Sequence, residues 1–170
     1  MKATRFTLVI AATLGIGGCA HPRVLTPGEV GRSGSRQFSA PPDEVLYASV
    51  GALKAEGYEV ETVDVEHGLI ISRAKQVSVP GGSNQAGETT SGRLEPAHLS
   101  AYQKRYRVTV SPENGGTRVV AEPSLVKAGR DISQEPVWDL DGPNGEKAQW
   151  DSLFADIQSA FPETAKPGQK

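Results

Sequence analysis

The chain has 170 residues, a length that predicts a single domain. It carries 18 lysines and arginines against 20 aspartates and glutamates, so its formal charge is -2. This balance argues against a nucleic-acid-binding protein, which normally shows a basic excess. The sequence contains one cysteine, which excludes both an intramolecular disulfide and a zinc site built from cysteines.

Residues 1–18 have the three-part pattern of a secretion signal. Two basic residues come first, the stretch 6–16 is mostly apolar, and two glycines then precede Cys19 at a cleavage position. The apolar stretch is too short to span a membrane. The sequence therefore predicts a signal peptide over residues 1–18.

The run Ile16-Gly17-Gly18-Cys19 resembles the bacterial lipobox, in which an aliphatic residue and two small residues precede a cysteine. The resemblance implies a bacterial lipoprotein, cleaved before Cys19. That residue would become N-palmitoyl and S-diacylglycerol cysteine. Lipoproteins retained in the inner membrane often carry aspartate at the next position, where this chain has Ala20. The resemblance therefore implies an anchor in the outer membrane of a Gram-negative bacterium, with the domain facing the periplasm. The alternative is an ordinary signal peptide followed by a chance cysteine.

Residues 19–35 are predicted to form a lipidated, flexible tether. They contain prolines, glycines and polar residues without a period, and such a stretch buries too little apolar surface to offset its ordering entropy. A single α+β domain is expected over residues 36–161, and residues 162–170 are predicted to be a disordered polar tail.

The domain begins with a predicted short strand at 36–39 and a helix from Pro41 to Gly57. A hairpin follows, with strands at 58–65 and 69–75. The apolar phase of its first strand shifts near Thr62, which predicts a bulge or a strand end.

A long polar loop over residues 76–100 separates this hairpin from a second one. The second hairpin has strands at 102–110 and 117–126 and a turn at 111–116. Alternate residues of its first strand form one face: Tyr102, Lys104, Tyr106, Val108 and Val110.

The last predicted element is a helix from Glu146 to Phe161, which follows a connector rich in turn residues. Its apolar residues recur at helical spacing. They are Trp150, Leu153, Phe154, Ile157 and Phe161.

The predicted order is β-α-β-β-β-β-α. It favours a two-layer α+β fold, with an antiparallel sheet of 4–5 strands and two helices packed on one face. This order resembles the helix-grip domains of the C-type lipoprotein of the outer-membrane barrel assembly machinery. The resemblance is carried by Phe38-Ser39-Ala40, Val45–Leu53, Gly57-Tyr58 and Asp64–Ile71. It implies a helix-grip fold and a role in outer-membrane assembly.

The sequence shows no arrangement typical of nucleophilic catalysis. The run Gly31–Ser35 departs from G-x-S-x-G, and Cys19 is expected to be acylated. His21, His67 and His98 lack partners at metal-ligand spacing and are interpreted as solvated loop residues. The sequence therefore predicts a protein that is not an enzyme, without catalytic residues, cofactor or metal.

The segment Asp139–Glu146 has the oxygen ligands of a calcium loop, but it departs from the EF-hand pattern. Pro143 occupies the third acidic position, and Gly142 comes two residues early. The preferred interpretation is a turn into the last helix with Asn144 as its N-cap.

The run Lys104–Arg107 is basic and contains a tyrosine, whereas the strand at 58–65 and its turn are acidic through Glu59, Glu61, Asp64 and Glu66. The preferred interpretation is cross-strand ion pairing on a solvated face of the sheet. The alternative is a patch for anionic lipid headgroups or for an acidic partner.

These patterns favour a lipid-anchored interaction or accessory lipoprotein of the bacterial cell envelope. We expect it to contact the membrane through lipid on Cys19, to bind an envelope protein, and to bind no nucleic acid. The sheet edges and the loop 76–100 are the expected contact surfaces. The alternative function is a periplasmic carrier of a lipid or small ligand, in a cavity between helix and sheet.

Overall fold

The computed structural model describes residues 22–77 and 102–161. The predicted signal peptide, Cys19, His21, His98, nearly all of the predicted loop and the predicted tail lie outside these residues. The elements in chain order are α1 (Pro27–Ser33), β1 (Ser35–Phe38), α2 (Pro42–Ala55), β2 (Val60–Asp64), β3 (Leu69–Ser72), β4 (Lys75–Val77), β5 (Tyr102–Glu113), β6 (Gly116–Lys127), β7 (Arg130–Asp131) and α3 (Glu146–Ser159).

The strands form one antiparallel sheet in the order β1-β6-β5-β3-β2, which confirms the two-layer α+β class. The described sheet has seven strands rather than four or five. The predicted strand at 69–75 is in fact two strands, because β3 ends at Ser72 and β4 pairs separately with β5. The two-residue β7 pairs with β6 and was not predicted.

The β5–β6 hairpin is the longest pairing in the sheet. Its register runs from Tyr102 opposite Lys127 to Glu113 opposite Gly116. The predicted turn over 111–116 is therefore wrong, since only Asn114 and Gly115 form it. Both have positive φ, 40° and 82°, and an Asn-Gly pair closes a hairpin in two residues.

Helix α2 follows the predicted pattern. It begins at Pro42 with Asp43 and Glu44 in its first turn, where the positive end of the helix dipole stabilises their negative charges. Gly57 follows its end with φ of +78°. Its buried residues are Val45, Leu46, Ser49, Ala52 and Leu53.

Helix α3 buries Trp150, Leu153, Phe154 and Ile157, as its spacing predicts. It ends at Ser159, so the predicted fifth residue, Phe161, lies beyond the helix and is only half-buried. The indole Nε1 of Trp150 donates to the Ala121 carbonyl at 3.0 Å, which ties α3 to β6. The two long helices pack together on one face of the sheet, and their side chains form one core with the inward residues of the strands. Among the described residues, no helix combines the length and the apolar character needed to cross a membrane.

The N-cap predicted for α3 is wrong. Gly145 occupies that position without a side-chain hydrogen bond, and the carbonyl of Asn144 accepts from the Gln149 side chain at 3.2 Å. The helix is held at this end by backbone bonds instead, since the amides of Glu146 and Lys147 donate to the carbonyls of residues 139 and 140.

The prediction of a flexible tether is wrong for residues 22–35, which are an ordered part of the domain. Arg23 and Trp138 exchange two backbone hydrogen bonds of 3.0 Å, and Leu25 is buried in the core. Thr26 and Glu29 form a reciprocal capping box that begins α1. One core anchor and one capped turn therefore order a stretch whose composition is typical of a linker.

The β2–β3 hairpin has the predicted irregularity, because its register shifts between Val60 and Thr62. The turn that joins its strands lies against β5. The amide of Val110 donates to the Gly68 carbonyl at 2.7 Å, and Gly68 has φ of +61°. A Cβ at this position would lie 2.0 Å from the Val110 carbonyl oxygen.

We expect Gly68→Ala to lower the free energy of unfolding by about 2–5 kcal/mol, the sum of left-handed backbone strain and a steric clash. The matched variant is Gly115→Ala, which has a similar φ of +82° but nothing within 4 Å of its Cβ. In that variant only the backbone strain remains, so the free energy of unfolding should fall by about 1–2 kcal/mol. Urea denaturation of both variants measures the difference, and equal losses would show that the close approach to Val110 is not limiting.

Candidate functional site

A buried ion pair joins β5 to α3. Lys104 Nζ lies 2.9 Å from Glu146 Oε2, and the two side chains are 5% and 3% exposed. The Tyr106 hydroxyl donates to the other oxygen of Glu146, and Lys104 also donates to Gln149. Every polar group of this cluster therefore has a partner, as buried charges require.

Lys104 is on the inward face because it shares the phase of Tyr106, Val108 and Val110 along β5. The alternation predicted from the sequence is confirmed, but the interpretation of Lys104 as part of a solvated basic run is wrong. Its partner Glu146 is 42 residues away in sequence, so no local pattern could reveal the pair. The sequence does contain one indication of the burial of Lys104: it occupies a position in β5 where the alternation otherwise places apolar residues.

The phenols of Tyr58 and Tyr106 complete the cluster. Their rings meet edge to face with centroids 5.2 Å apart. Burial raises the pKa of each phenol well above its usual value of 10.0, and the negative charge of Glu146 adds to the effect. Both groups therefore remain neutral hydrogen-bonding side chains near neutral pH.

The predicted ion pairing between the acidic strand and the basic run is wrong. Strand β3 lies between β2 and β5, so the two sets of charges do not face each other. Glu59 pairs with Arg73 at 3.3 Å, and Asp64 contacts His67 at 2.8 Å. The hydrogen bonds from His67 lower the pKa of the Asp64 carboxyl.

The segment Asp139–Glu146 forms the predicted turn and directs its carboxylates to separate partners. Glu146 binds Lys104 in the core, and Asp141 pairs with Arg23 and Lys147. Asp139 accepts a hydrogen bond from the Gly142 amide at 3.1 Å. Within residues 22–77 and 102–161, no three histidine, cysteine, aspartate or glutamate side chains come together to hold a metal ion.

An open groove of about 400 Å³ lies beside α1 on the face of the sheet opposite α2. We call it the outer groove. Its apolar lining includes Leu25, Pro27 and Val30, and its cations are Arg105 and Arg107. Glu122 and Asp131 also line it.

A second exposed surface is the edge of the sheet at β2, which pairs with β3 alone among the described strands. Val63 is 41% exposed and Val65, in the turn that follows, is 52% exposed. Tyr47, on α2, is 62% exposed. These are three of the four large apolar side chains that the described part of the chain exposes.

No protein-family model matches the chain, and no curated protein matches it either.

We expect Lys104→Met alone to lower the free energy of unfolding by about 3–5 kcal/mol, because it leaves Glu146 buried and unpaired. The Lys104→Met/Glu146→Leu double variant should recover most of that loss, since both charges are then absent. Urea denaturation of the native chain, both single variants and the double variant gives the coupling free energy. Additive losses would contradict a paired, buried cluster.

Lys147→Met is the matched control for this cycle. It removes a lysine one position from Glu146 whose side chain is 40% exposed and pairs with Asp141 at the surface. A surface pair contributes little, so we expect a loss below about 1 kcal/mol.

The neutral phenols also predict an alkaline limit to stability. Above about pH 10 the unfolded chain releases the protons of Tyr58 and Tyr106 while the folded chain retains them, so the free energy of unfolding falls as pH rises. Below that pH both states keep these protons, and the phenols add no pH dependence. Urea denaturation between about pH 8 and 11 measures the slope, to which each group contributes at most about 1.4 kcal/mol per pH unit. Tyr58→Phe should flatten it, and an unchanged slope would show that Tyr58 ionises alike in both states.

Proposed function

We propose that the protein is a lipid-anchored interaction lipoprotein of the bacterial cell envelope, held in the outer membrane through Cys19 with its domain in the periplasm. The lipobox-like run before Cys19 supports the anchor. The helix-grip-like order of elements supports an accessory role in outer-membrane assembly. In this proposal the domain binds a protein partner and catalyses no reaction.

The edge of the sheet at β2 is the observation that carries the proposal. An edge strand presents free backbone amides and carbonyls that an extended segment of another protein can pair with. The exposed Val63 and Val65 lie two residues apart and supply apolar contacts for such a segment. A partner strand at this edge would be held by backbone hydrogen bonds and selected by side chains.

The acidic residues of this edge favour a partner of different sequence over a second copy of the chain. Glu61 and Glu66 form no ion pair with any described residue. Pairing β2 with β2 of another copy would bring like charges together, which destabilises a sheet. The bulge between Val60 and Thr62 further limits self-pairing.

The packing between the helices and the sheet supports a protein-binding function over the alternative function of a ligand carrier. A carrier of this architecture needs a cavity between helix and sheet. The large side chains Trp150 and Phe154 are fully buried there, in the same core as Leu46, Leu53 and Val108. Native mass spectrometry of the protein extracted from its membranes tests this point, and a retained lipid or small molecule would favour the carrier.

We expect Val63→Asp/Val65→Asp to reduce capture of envelope proteins at least tenfold while leaving the fold intact, because the exposed edge then repels an apolar segment. The measurement is affinity purification of the full-length protein from its own membranes in mild detergent, with quantitative mass spectrometry of what is captured. Circular dichroism confirms that the variant is folded.

Two controls complete this experiment. Ala155→Asp introduces one aspartate at an exposed position of α3, away from the β2 edge, so it should leave capture unchanged. Cys19→Ala removes the proposed anchor and should lower capture by taking the domain away from the membrane. Capture that does not respond to the valine substitutions would remove the β2 edge from the proposal.

A further inference from the structure

The part of the chain that the structure describes begins close in sequence to the proposed anchor. Arg23 already pairs with Trp138, and Leu25 is in the core. Three residues lie between Cys19 and Arg23, and an extended chain from one to the other spans at most about 14 Å. If Cys19 carries lipid, as the proposed function requires, the surface around Arg23 therefore lies next to the bilayer.

The outer groove opens on this surface. Leu25 and Pro27 line the groove and follow Cys19 by six and eight residues, which puts them within about 20–30 Å of the anchor at full extension. Helix α1 borders the groove and has no buried residue. Val24, beside Leu25, is 37% exposed.

The two arginines of the groove are the groups that can bind the phosphates of lipid headgroups. Arg105 and Arg107 both line it. Arg105 donates to Ser124 at 3.1 Å, and Arg107 forms no ion pair with any described residue. The groove also has two acidic residues. Glu122 lies opposite Arg107 in the register of β5 and β6, and Asp131 accepts hydrogen bonds from the amide and hydroxyl of Ser133 at 2.8 and 2.6 Å.

We propose that the outer groove docks against the phospholipid headgroups of the membrane that holds the anchor, with Arg105 and Arg107 facing lipid phosphates. The apolar side chains of Leu25, Pro27 and Val30 then line the boundary of the headgroup layer. Strand β2 is two strands away from β5 in the sheet, so its edge remains free for a protein partner.

The experiment compares two labelled positions on the full-length, acylated protein in vesicles of phosphatidylglycerol and phosphatidylethanolamine. Val24→Cys places a spin label beside the groove, and Tyr47→Cys places one on α2, on the opposite face of the sheet. In the proposed lipidation the sulfur of Cys19 is held in a diacylglyceryl thioether, so it does not react with the spin label. We expect a water-soluble relaxation agent to reach the Val24 label several-fold less in vesicles than in detergent, and to reach the Tyr47 label equally in both.

The arginines are tested by neutralising them. Each Arg→Gln change at 105 or 107 should raise the ratio of undocked to docked protein about fivefold, the change that corresponds to roughly 1 kcal/mol per basic residue at an anionic surface. Added salt should weaken docking in the same direction. Lys54→Gln, an exposed cation on α2, is the matched control and should leave the Val24 label shielded.

The outcomes separate this inference from the proposed function on which it rests. Acylation of Cys19 is read by mass spectrometry of the intact protein, and its absence overturns both. Acylation with equal exposure of the two labels overturns only the docking. Shielding of Val24 that is already complete in detergent shows that the chain itself covers the groove, which also overturns the docking.

Discussion

The register of the β5–β6 hairpin is the constraint on which the rest of the fold depends. Side chains alternate between the two faces of a strand, so a slip of one residue would exchange the inward and outward sets. In the observed register Tyr106, Val108 and Val110 contact the helices, while Arg105 and Arg107 face the outer groove. The two-residue turn at Asn114 and Gly115 fixes that register at one end. This register therefore determines which side chains form the core and which line the outer groove.

We expect the buried ion pair of Lys104 and Glu146 to contribute more to the specificity of the fold than to its stability. Moving Lys104 and Glu146 out of water costs several kcal/mol per ion, and their attraction repays this only because Tyr106 and Gln149 complete the hydrogen bonds. An apolar pair of similar volume would give comparable stability. The charged pair instead favours one position of α3 along β5, because a shift of the helix would leave Lys104 or Glu146 buried without its partner. The bond from Trp150 to β6 restrains the same helix from a second strand.

Local patterns in the sequence predicted the elements whose signal repeats within a few residues. The stripe of α3, the alternation of β5 and the phase shift near Thr62 are of this kind, and all three are confirmed. The features that were missed depend on distant partners. Leu25 is a single apolar residue in a polar stretch, and its burial requires a surface that other segments assemble.

The candidate site was predictable to a similar degree. Edge strands follow from the hairpin order, so a contact surface at a sheet edge could be proposed from the sequence. The outer groove could not be predicted, because the composition of the segment that borders it is typical of a flexible tether. Lys104 was misplaced for a related reason: a basic residue among basic neighbours is interpreted as exposed until its distant carboxylate is known.

The length of the link between anchor and domain determines what an anchored domain can reach. A flexible tether over residues 19–35 would have a root-mean-square length of about 22 Å, and the domain could turn freely at its end. In the proposed function only three residues lie between Cys19 and Arg23, a link that would remove most of that freedom and keep one face of the domain towards the membrane. Association then loses less orientational entropy, because the anchor has already restricted the domain. Under this proposal a partner of the β2 edge would have to present its strand close to the bilayer surface, and an envelope protein fixed in the same membrane would meet that condition more readily than one diffusing through the periplasm.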